Sequence, residues 1–278
     1  MCRHIGYVGV PVPVGEILTR GPHSLRTQSW APRDMRGGGT INADGFGVAW
    51  WGSGPVPVTR YRNADPIWTD PAVEEVLPQL TSPAVLGVVR SATVGMPVQR
   101  SACAPFLWDR WAFSHNGVIP RWRSVLTAVL SDLDVAATRA GMTRRYETSH
   151  LLEAEALTDS AALWELLRRL LDPEPPAGLA ETPGTALRLL VTGVLHHAPD
   201  SRVNLLLGDG GGLWATTCYH SLSALITDEF AILSSEPYDD DPRWQPLPDR
   251  SLVHAEPGRL SVETLEAGRS TATESLPL

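Results

Sequence analysis

The chain contains no lysine: all 23 of its lysine-plus-arginine positions are arginine. This absence excludes a Walker-A phosphate loop, a Schiff-base lysine and a Ser-Lys catalytic dyad, each of which needs a lysine amine. Cationic recognition must therefore come from arginine, whose planar guanidinium pairs with carboxylates through two parallel hydrogen bonds. The chain also has only 3 cysteines, Cys2, Cys103 and Cys218, which are too few and too scattered for a disulfide framework or a zinc knuckle.

Long apolar runs and clusters of positive charge are absent as well. No stretch approaches the ~20 apolar residues of a transmembrane helix, and the N-terminus lacks the pattern of a signal peptide. The net charge is -8 with a pI near 5.5, and no basic stripe favours nucleic acid. We therefore expect a cytoplasmic protein that binds neither a membrane nor nucleic acid. We expect no metal, since His196-His197 lies in an apolar helix without an acidic partner at ligand spacing.

The sequence does contain enough apolar residues for a full core, because 43% of its 278 residues are hydrophobic. The elements follow the order β-rich, helical, β-rich. Apolar runs predict strands at Ile5–Val10, Phe46–Trp51, Val56–Arg60, Ala84–Val89, Trp111–Ser114, Val203–Leu207, Leu213–Cys218, Leu222–Ile226 and Phe230–Leu233, with a last hairpin of Ser251–His254 and Leu260–Leu265. Leucine and valine periodicity predicts helices from Arg123, around Leu151–Leu157, from Asp159, and at Leu187–His196.

The N-terminus carries the first candidate for catalysis. Cys2 follows the initiator Met1, and aminopeptidases remove methionine when the next residue is small. Cys2 would then carry a thiol nucleophile and a free α-amine whose ordinary pKa is about 7.7–8.0, which is a nucleophile–base pair in one residue. An incidental cysteine at this position is the alternative.

Three further groups of polar residues follow strands or open a helix. Arg90 lies just past a buried strand, where it could hold a substrate carboxylate, and Thr93 could add a hydroxyl. Asn116 and Gly117 could donate hydrogen bonds to an oxyanion, and Asp159 could pair with an ammonium group. Each has a structural alternative: an ion pair for Arg90, a hairpin turn for Asn116-Gly117, and a helix N-cap for Asp159.

The set of motifs, taken in chain order, resembles the class-II glutamine amidotransferases of the N-terminal-nucleophile hydrolase superfamily. The motifs are Cys2, Asp44-Gly-Phe-Gly47, Arg90-Ser-Ala-Thr93, His115-Asn-Gly117 and Thr158-Asp-Ser160. The resemblance implies an α+β fold, a four-layer αββα sandwich, and no cofactor. It implies these roles: Cys2 as nucleophile, Arg90 on the α-carboxylate, Asn116 and Gly117 as the oxyanion hole, Asp159 on the α-amino group, and Thr93 and His115 as further substrate contacts.

Two features depart from the family pattern. Val94 stands where many members have histidine after the motif threonine. Residues 120–155 are longer than the usual link to the aspartate, so Glu147 and Glu155 remain alternatives to Asp159. We expect one domain over residues 1–267, with the helical segment 123–157 as an elaboration, followed by a frayed tail over 268–278.

A narrower resemblance favours one branch of the family. Met1-Cys-Arg-His4 and the stretches 28–33, 90–97 and 235–242 are similar to the amidohydrolases of ergothioneine biosynthesis, and Val94 belongs to that pattern. The resemblance implies release of glutamate from γ-glutamyl-hercynylcysteine S-oxide, a small-molecule substrate. The alternatives are a glutaminase subunit of a two-protein amidotransferase and a non-enzymatic member of the superfamily. The oligomeric state stays open.

The leaving group of that substrate carries a trimethylammonium, which aromatic rings can bind through cation–π contacts. Trp30 or Tyr238 could supply the ring, with help from the acidic residues Asp239–Asp241. Core packing of the aromatic residues and a polar turn at Asp239–Asp241 are the alternatives.

Overall fold

Two antiparallel sheets, each covered by helices on its outer face, form the computed structural model, which describes residues 2–36, 41–52, 57–142, 146–172 and 179–265. The strands are β1 (Arg3–Pro13), β2 (Phe46–Trp51), β3 (Val58–Asn63), β4 (Thr81–Val89), β5 (Phe106–Trp108), β6 (Trp111–Val118), β7 (Arg202–Gly208), β8 (Leu213–Thr217), β9 (Ser223–Ile226), β10 (Phe230–Ser234), β11 (Gln245–Pro246), β12 (Ser251–Glu256) and β13 (Arg259–Thr264). The α-helices are α1 (Val14–Thr19), α2 (Leu25–Gln28), α3 (Ala72–Glu75), α4 (Trp122–Arg139), α5 (Asp159–Leu171) and α6 (Pro183–His197).

The first sheet has the strand order β11-β9-β10-β1-β4-β2-β3, and the second has the order β13-β12-β8-β7-β6-β5. In β1, Ile5 and Tyr7 pack with α1 and α2, whereas Val8 packs in the core shared with the second sheet. This alternation follows from the two-residue period of a strand. It gives four layers, with α1–α3 on one outer face and α4–α6 on the other.

Two of the helices that cover the second sheet, α5 and α6, begin at residues whose side chains cap them. The Thr158 side chain caps α5 by accepting a hydrogen bond from the Ala161 amide at 3.1 Å, and Thr182 caps α6 in the same way. Behind the α5 cap, Trp164 stacks on Phe113 of β6 with ring centroids 5.3 Å apart. Cap and stack together fix the start of α5 next to the end of β6.

Most of the predicted elements are confirmed, with shifted ends. The hairpin partner predicted at Val56–Arg60 is the strand Val58–Asn63. The helix predicted around Leu151–Leu157 is wrong: the backbone forms a 3-10 segment at Thr148–Glu153. Leu152 and Leu157 are 86% and 66% exposed, so these leucines do not share one buried face that would reward a longer helix.

Some predictions fall outside the part of the chain that is described. These are the glycine run at 37–39, most of the turn predicted at 52–55, and the frayed tail at 268–278. Among the helices that the structure describes, none has the length and apolar character needed to cross a bilayer.

Candidate active site

Cys2 lies directly before β1 and is half-buried. Its Sγ lies 3.8 Å from the carbonyl oxygen of Ser91, which follows β4. The antiparallel register pairs Arg3 with Val89, so Cys2 comes opposite Arg90. The pairing of β1 with β4 therefore brings Cys2 and Arg90 together, although they are far apart in the sequence.

Arg90 is 7% exposed, and its Nη1 donates to the Asp44 carbonyl at 3.3 Å. Within the described ranges no carboxylate lies within salt-bridge distance of it, so the ion-pair alternative is wrong. Asp44 instead accepts a hydrogen bond from the Ala92 amide at 2.7 Å. A buried guanidinium without an anion is costly, which indicates that Arg90 is built to receive one.

The conformation of Gly45 explains why the motif Asp44-Gly-Phe-Gly47 needs a glycine beside Asp44. Its φ of +109° favours glycine, and a Cβ there would lie 2.4 Å from Cys103 Sγ. Cys103, on the segment leading into β5 of the second sheet, lies 3.9 Å from the Asp44 carbonyl through its Sγ. The two sheets therefore approach each other closely beside Arg90.

Asn116 lies inside β6 and is fully buried, yet neither its Nδ2 nor its Oδ1 has a hydrogen-bond partner within the structure described. Ser114, two residues earlier on the same strand face, contacts His4 Nδ1 across the sheets at 2.9 Å. His4 in turn lies two residues after Cys2. Asn116 thus faces β1 with an amide free to bind a substrate atom.

Gly117 is next to Asn116 and leaves no room for a side chain. A Cβ at this position would lie 1.8 Å from the Arg202 carbonyl oxygen and 2.6 Å from His115 Nε2. Both residues belong to the strand Trp111–Val118, so the hairpin-turn alternative for Asn116-Gly117 is wrong. The glycine permits the close approach of β7 to β6.

His115 points to the other face of β6 and is 3% exposed. Its Nε2 lies 2.9 Å from the Arg202 carbonyl, which can only accept, so Nε2 carries the proton. Its Nδ1 lies 3.0 Å from Ser160 Oγ, within hydrogen-bond distance. Both ring nitrogens are used within the protein, and the ring joins β6 to β7 and to the start of α5.

Asp159 is the first residue of α5 and is 6% exposed. Its Oδ2 accepts from the Ile119 amide at 3.1 Å, and its Oδ1 accepts from the Ser160 amide at 2.8 Å. The N-cap alternative is wrong, because Thr158 is the cap. Asp159 therefore lies directly beyond the end of β6, because the residue that it contacts, Ile119, is two residues after Gly117.

The alternative acids have other roles in the structure. Glu155 forms ion pairs with Arg60 and Arg62, each with a 2.8 Å contact. These arginine donors lower the pKa of the Glu155 carboxyl, although burial alone would raise it. Glu147 caps the 3-10 segment at Thr148–Glu153. Neither carboxylate replaces Asp159 at the end of β6.

Thr93 lies on the exposed loop that follows Arg90. Its carbonyl accepts from the Met96 amide at 2.9 Å, which closes a turn containing Gly95 at φ +88°. Val94 is fully exposed on this turn. The loop begins at Ser91, whose carbonyl oxygen contacts Cys2 Sγ, so Thr93 lies two residues after a direct neighbour of Cys2.

The aromatic candidates for a trimethylammonium differ in access. Tyr238 is 4% exposed and packs edge-on against Trp244, so its ring is closed to a ligand. Trp30 is 43% exposed and lies edge-on to Trp68. Asp239 and Asp241 border a cavity of about 400 Å³, but they already accept from Trp244 Nε1 and Arg243.

The buried histidines His4 and His220 were not predicted from the sequence as part of this site. Burial, together with nearby His115 and His220, lowers the pKa of His4 to about 3. Burial and the Arg202 charge lower the pKa of His220 to about 3. Both rings are therefore neutral at neutral pH. The signal in the sequence was a histidine two residues after Cys2, on the same face of an otherwise apolar strand.

Arg3 was also missed. It is 1% exposed and pairs with Glu236 at 3.0 Å, and its Nη2 donates to the Asp34 carbonyl. Burial lowers its pKa, while the Glu236 and Asp34 charges oppose that shift. This ion pair attaches the start of β1 to the segment after β10. For metals, the described ranges contain no cluster of three or more histidine, cysteine or acidic side chains that could hold an ion.

The chain belongs to the family described as Glutamine amidotransferases class-II, whose family model matches residues 23–229. It is 35% identical to the gamma-glutamyl-hercynylcysteine sulfoxide hydrolase of Mycolicibacterium smegmatis over 95% of this chain and 100% of that protein. The fold resembles a glutamine aminotransferase class-II domain protein from Silicibacter pomeroyi, with a TM-score of 0.57, 22% identity, and coverage of 95% of this chain and 99% of the other.

The fold also resembles the Bacillus subtilis glutamine phosphoribosylpyrophosphate amidotransferase. The TM-score is 0.59 at 14% identity, and the match covers 96% of this chain and 50% of the other. With two helix-covered sheets in the structure, these likenesses confirm the predicted α+β class and αββα sandwich.

Proposed function

We propose that this chain is a cysteine-dependent amidohydrolase that cleaves the γ-glutamyl amide of γ-glutamyl-hercynylcysteine sulfoxide, releasing glutamate and hercynylcysteine sulfoxide. The observation that carries the proposal is the identity of 35% along the whole length of a relative with that activity in its name. The arrangement of Cys2, Arg90 and Asn116 at one end of the facing sheets supports the chemistry. The reaction depends on a free thiol, which suits the reducing cytoplasm.

The nucleophile is the Cys2 thiolate, formed after removal of Met1. The α-amine of Cys2 takes the thiol proton, and the sulfur attacks the γ-carbonyl carbon to form a tetrahedral intermediate. The amine then returns the proton to the cysteinyl nitrogen as the C–N bond breaks. Water hydrolyses the γ-glutamyl thioester, which releases glutamate and restores the thiol.

The oxyanion of the intermediate lies against Asn116 Nδ2 and the Gly117 amide. The Asn116 amide is fully buried and has no partner in the described structure, so it pays no cost of breaking an internal bond when substrate arrives. A preorganised donor of this kind contributes roughly 3–4 kcal/mol to transition-state binding.

The γ-glutamyl end is held by charge. Arg90 binds the α-carboxylate, and Asp159 binds the α-ammonium with the lone pairs that its two backbone contacts leave free. Thr93 adds a hydroxyl from the exposed loop. His115 acts by holding β6 against β7 and α5, because both of its nitrogens are already used.

The domain organisation is part of the proposal. Residues 1–267 form one class-II amidotransferase domain, and the helical segment 123–157 is an elaboration of it. Helix α4 covers the first part of this segment from residue 122 onward, and its buried face packs in the core with α6.

The test combines intact mass with glutamate release from γ-glutamyl-hercynylcysteine sulfoxide and from glutamine. We expect loss of Met1 and release from the sulfoxide that Cys2→Ala abolishes. Cys218→Ala is the matched control, because burial raises the pKa of that thiol to about 12 and keeps it inert.

Other outcomes would change the proposal. Preference for glutamine, with stimulation by a second protein, would favour a glutaminase subunit. Retained Met1 with no release from either compound would contradict an N-terminal cysteine hydrolase.

A further inference from the structure

Arg202 opens β7 directly beside the proposed oxyanion hole. Its carbonyl accepts from His115 Nε2 at 2.9 Å, and the same oxygen occupies the space where a Gly117 side chain would lie. In the register of β6 and β7, Arg202 pairs with Val118, the residue after Gly117. The start of this side chain is therefore fixed next to the reacting carbonyl.

The Arg202 guanidinium stacks on the Tyr219 ring, 4.4 Å from the centroid. Arg202 is half-buried, and the described residues place no carboxylate within salt-bridge distance of it. Stacking uses the face of the guanidinium and leaves its N–H edge available. Like Arg90, Arg202 is a cation beside the centre without an anionic partner among the described residues.

Tyr219 is held in an unfavourable backbone conformation to provide this ring. Its φ is +88°, a region that favours glycine. Its amide donates to Asp249 Oδ1 at 2.7 Å, and its carbonyl accepts from Arg36 at 3.0 Å. Asn204 fixes both neighbours by accepting from the amides of residues 218 and 220. Strain maintained by so many contacts is typical of functional positions.

The Arg202–Tyr219 pair and Arg90 lie on opposite sides of the centre. β4, which Arg90 directly follows, flanks β1 on one side, and β10 flanks it on the other. Tyr219 is joined through Arg36 to the segment whose Asp34 contacts Arg3. That segment also binds Glu236, which follows β10. These contacts place Arg90 on the β4 side of Cys2 and the Arg202–Tyr219 pair on the β10 side.

We infer that Arg202 is a specificity-determining residue that binds the carboxylate of the leaving group, with Tyr219 holding its guanidinium in place. The inference rests on the proposed function, in which the scissile nitrogen belongs to a cysteinyl residue. That residue carries its carboxylate on the carbon attached to the scissile nitrogen. A guanidinium beside Gly117 is therefore close to where this carboxylate must lie, and glutamine, whose leaving group is ammonia, gains nothing from it.

The test uses two substrates that differ only in this carboxylate, γ-glutamyl-S-methylcysteine and γ-glutamyl-S-methylcysteamine. Wild type should prefer the first. We expect Arg202→Met to lower kcat/KM for the first by roughly 10- to 100-fold and to leave the second within about twofold. Tyr219→Leu should lower the first by about 2- to 30-fold, and Tyr219→Phe should retain the wild-type value. Arg259→Met, which removes an exposed arginine elsewhere, is the control.

The carboxylate-free substrate reports folding and chemistry in the same variant. An equal loss of both substrates in Arg202→Met, or no preference in wild type, would overturn the inference while hydrolysis of the sulfoxide still stood. Failure of wild type on the sulfoxide, with the Arg202-dependent preference intact, would overturn the proposed substrate and support this role. Turnover of no γ-glutamyl compound would overturn both.

Discussion

At the scale of single residues, two asparagines in direct register have opposite states. Asn116 of β6 pairs with Asn204 of β7. Both are fully buried, but the Asn116 amide has no partner in the described structure. Asn204 accepts from the Cys218 and His220 amides and donates to the His220 carbonyl. Under the proposed function the Asn116 amide binds the substrate, whereas Asn204 holds the loop at residues 218–220.

This contrast predicts separable effects of alanine substitution. Asn116→Ala should lower kcat by about 10²- to 10³-fold with little change in melting temperature, because no internal bond is lost. Asn204→Ala leaves buried amides unpaired and should lower the free energy of unfolding by about 1–3 kcal/mol. Glutamate release and thermal unfolding check both. Similar melting temperatures for the two variants would contradict the assignment.

Gly117 and Gly184 form a second matched pair. Gly117→Ala would place a methyl group 1.8 Å from the Arg202 carbonyl, a rigid backbone atom, so β6 and β7 must separate. At Gly184 in α6 the nearest atom to a Cβ is 3.4 Å away. We expect Gly117→Ala to lose both activity and stability, whereas Gly184→Ala should be neutral or stabilising by up to about 1 kcal/mol. Full activity of Gly117→Ala would contradict this packing.

At the scale of elements, the start of β1 depends on an ion pair. Arg3 and Glu236 are 1% and 3% exposed, and removal of one charge leaves the other charge buried without its ion-pair partner. Glu236→Gln should therefore reduce the free energy of unfolding by about 3–5 kcal/mol. Its control, Glu263→Gln, breaks the surface pair with Arg188 and should cost less than about 1 kcal/mol. Chemical denaturation measures both, and equal losses would argue against a structural role for the buried pair.

The regular elements were also the most predictable part of the fold. The strand at Phe46–Trp51 and the first half of β6, at Trp111–Ser114, follow from apolar runs, and α5 follows from its leucine period. The segment around Leu151 was misread because leucine spacing alone does not show whether a partner surface exists. Its side chains are largely solvent-exposed, and without burial a short helix is marginal.

At the scale of the whole molecule, the buried histidines predict a loss of stability in acid. His4 and His220 have pKa values of about 3 in the folded chain, against about 6.5 for a free imidazole. As pH falls from about 6.5 towards 3, the unfolded chain binds protons that the folded chain cannot. The free energy of unfolding therefore decreases by up to about 1.4 kcal/mol per pH unit for each histidine.

Denaturation at a series of pH values measures this slope. His4→Gln should reduce this slope by the contribution of one histidine. When each protein's free energy of unfolding is expressed relative to its value at pH 7, the variant should lose stability at a lower pH than wild type. An unchanged slope in this variant would show that His4 becomes protonated within the folded protein.

The sequence by itself was enough to predict the type of reaction, which is amide hydrolysis with a cysteine nucleophile. Cys2 behind Met1, an arginine after a strand, and Asn116-Gly117 were visible as residue types and order. The apolar runs were enough to predict the β-α-β arrangement, because burial periodicity is a local property of the chain.

Only the tertiary structure decided which polar side chains are free and which are used. Arg90 and Arg202 have no carboxylate among the described residues, Glu155 has two arginines, and His115 has both nitrogens bonded. Partners of this kind come from strands and loops far apart in sequence, as Arg3 and Glu236 show. A hydrogen bond depends on distances of a few tenths of an ångström, and these are fixed only when the two sheets pack together.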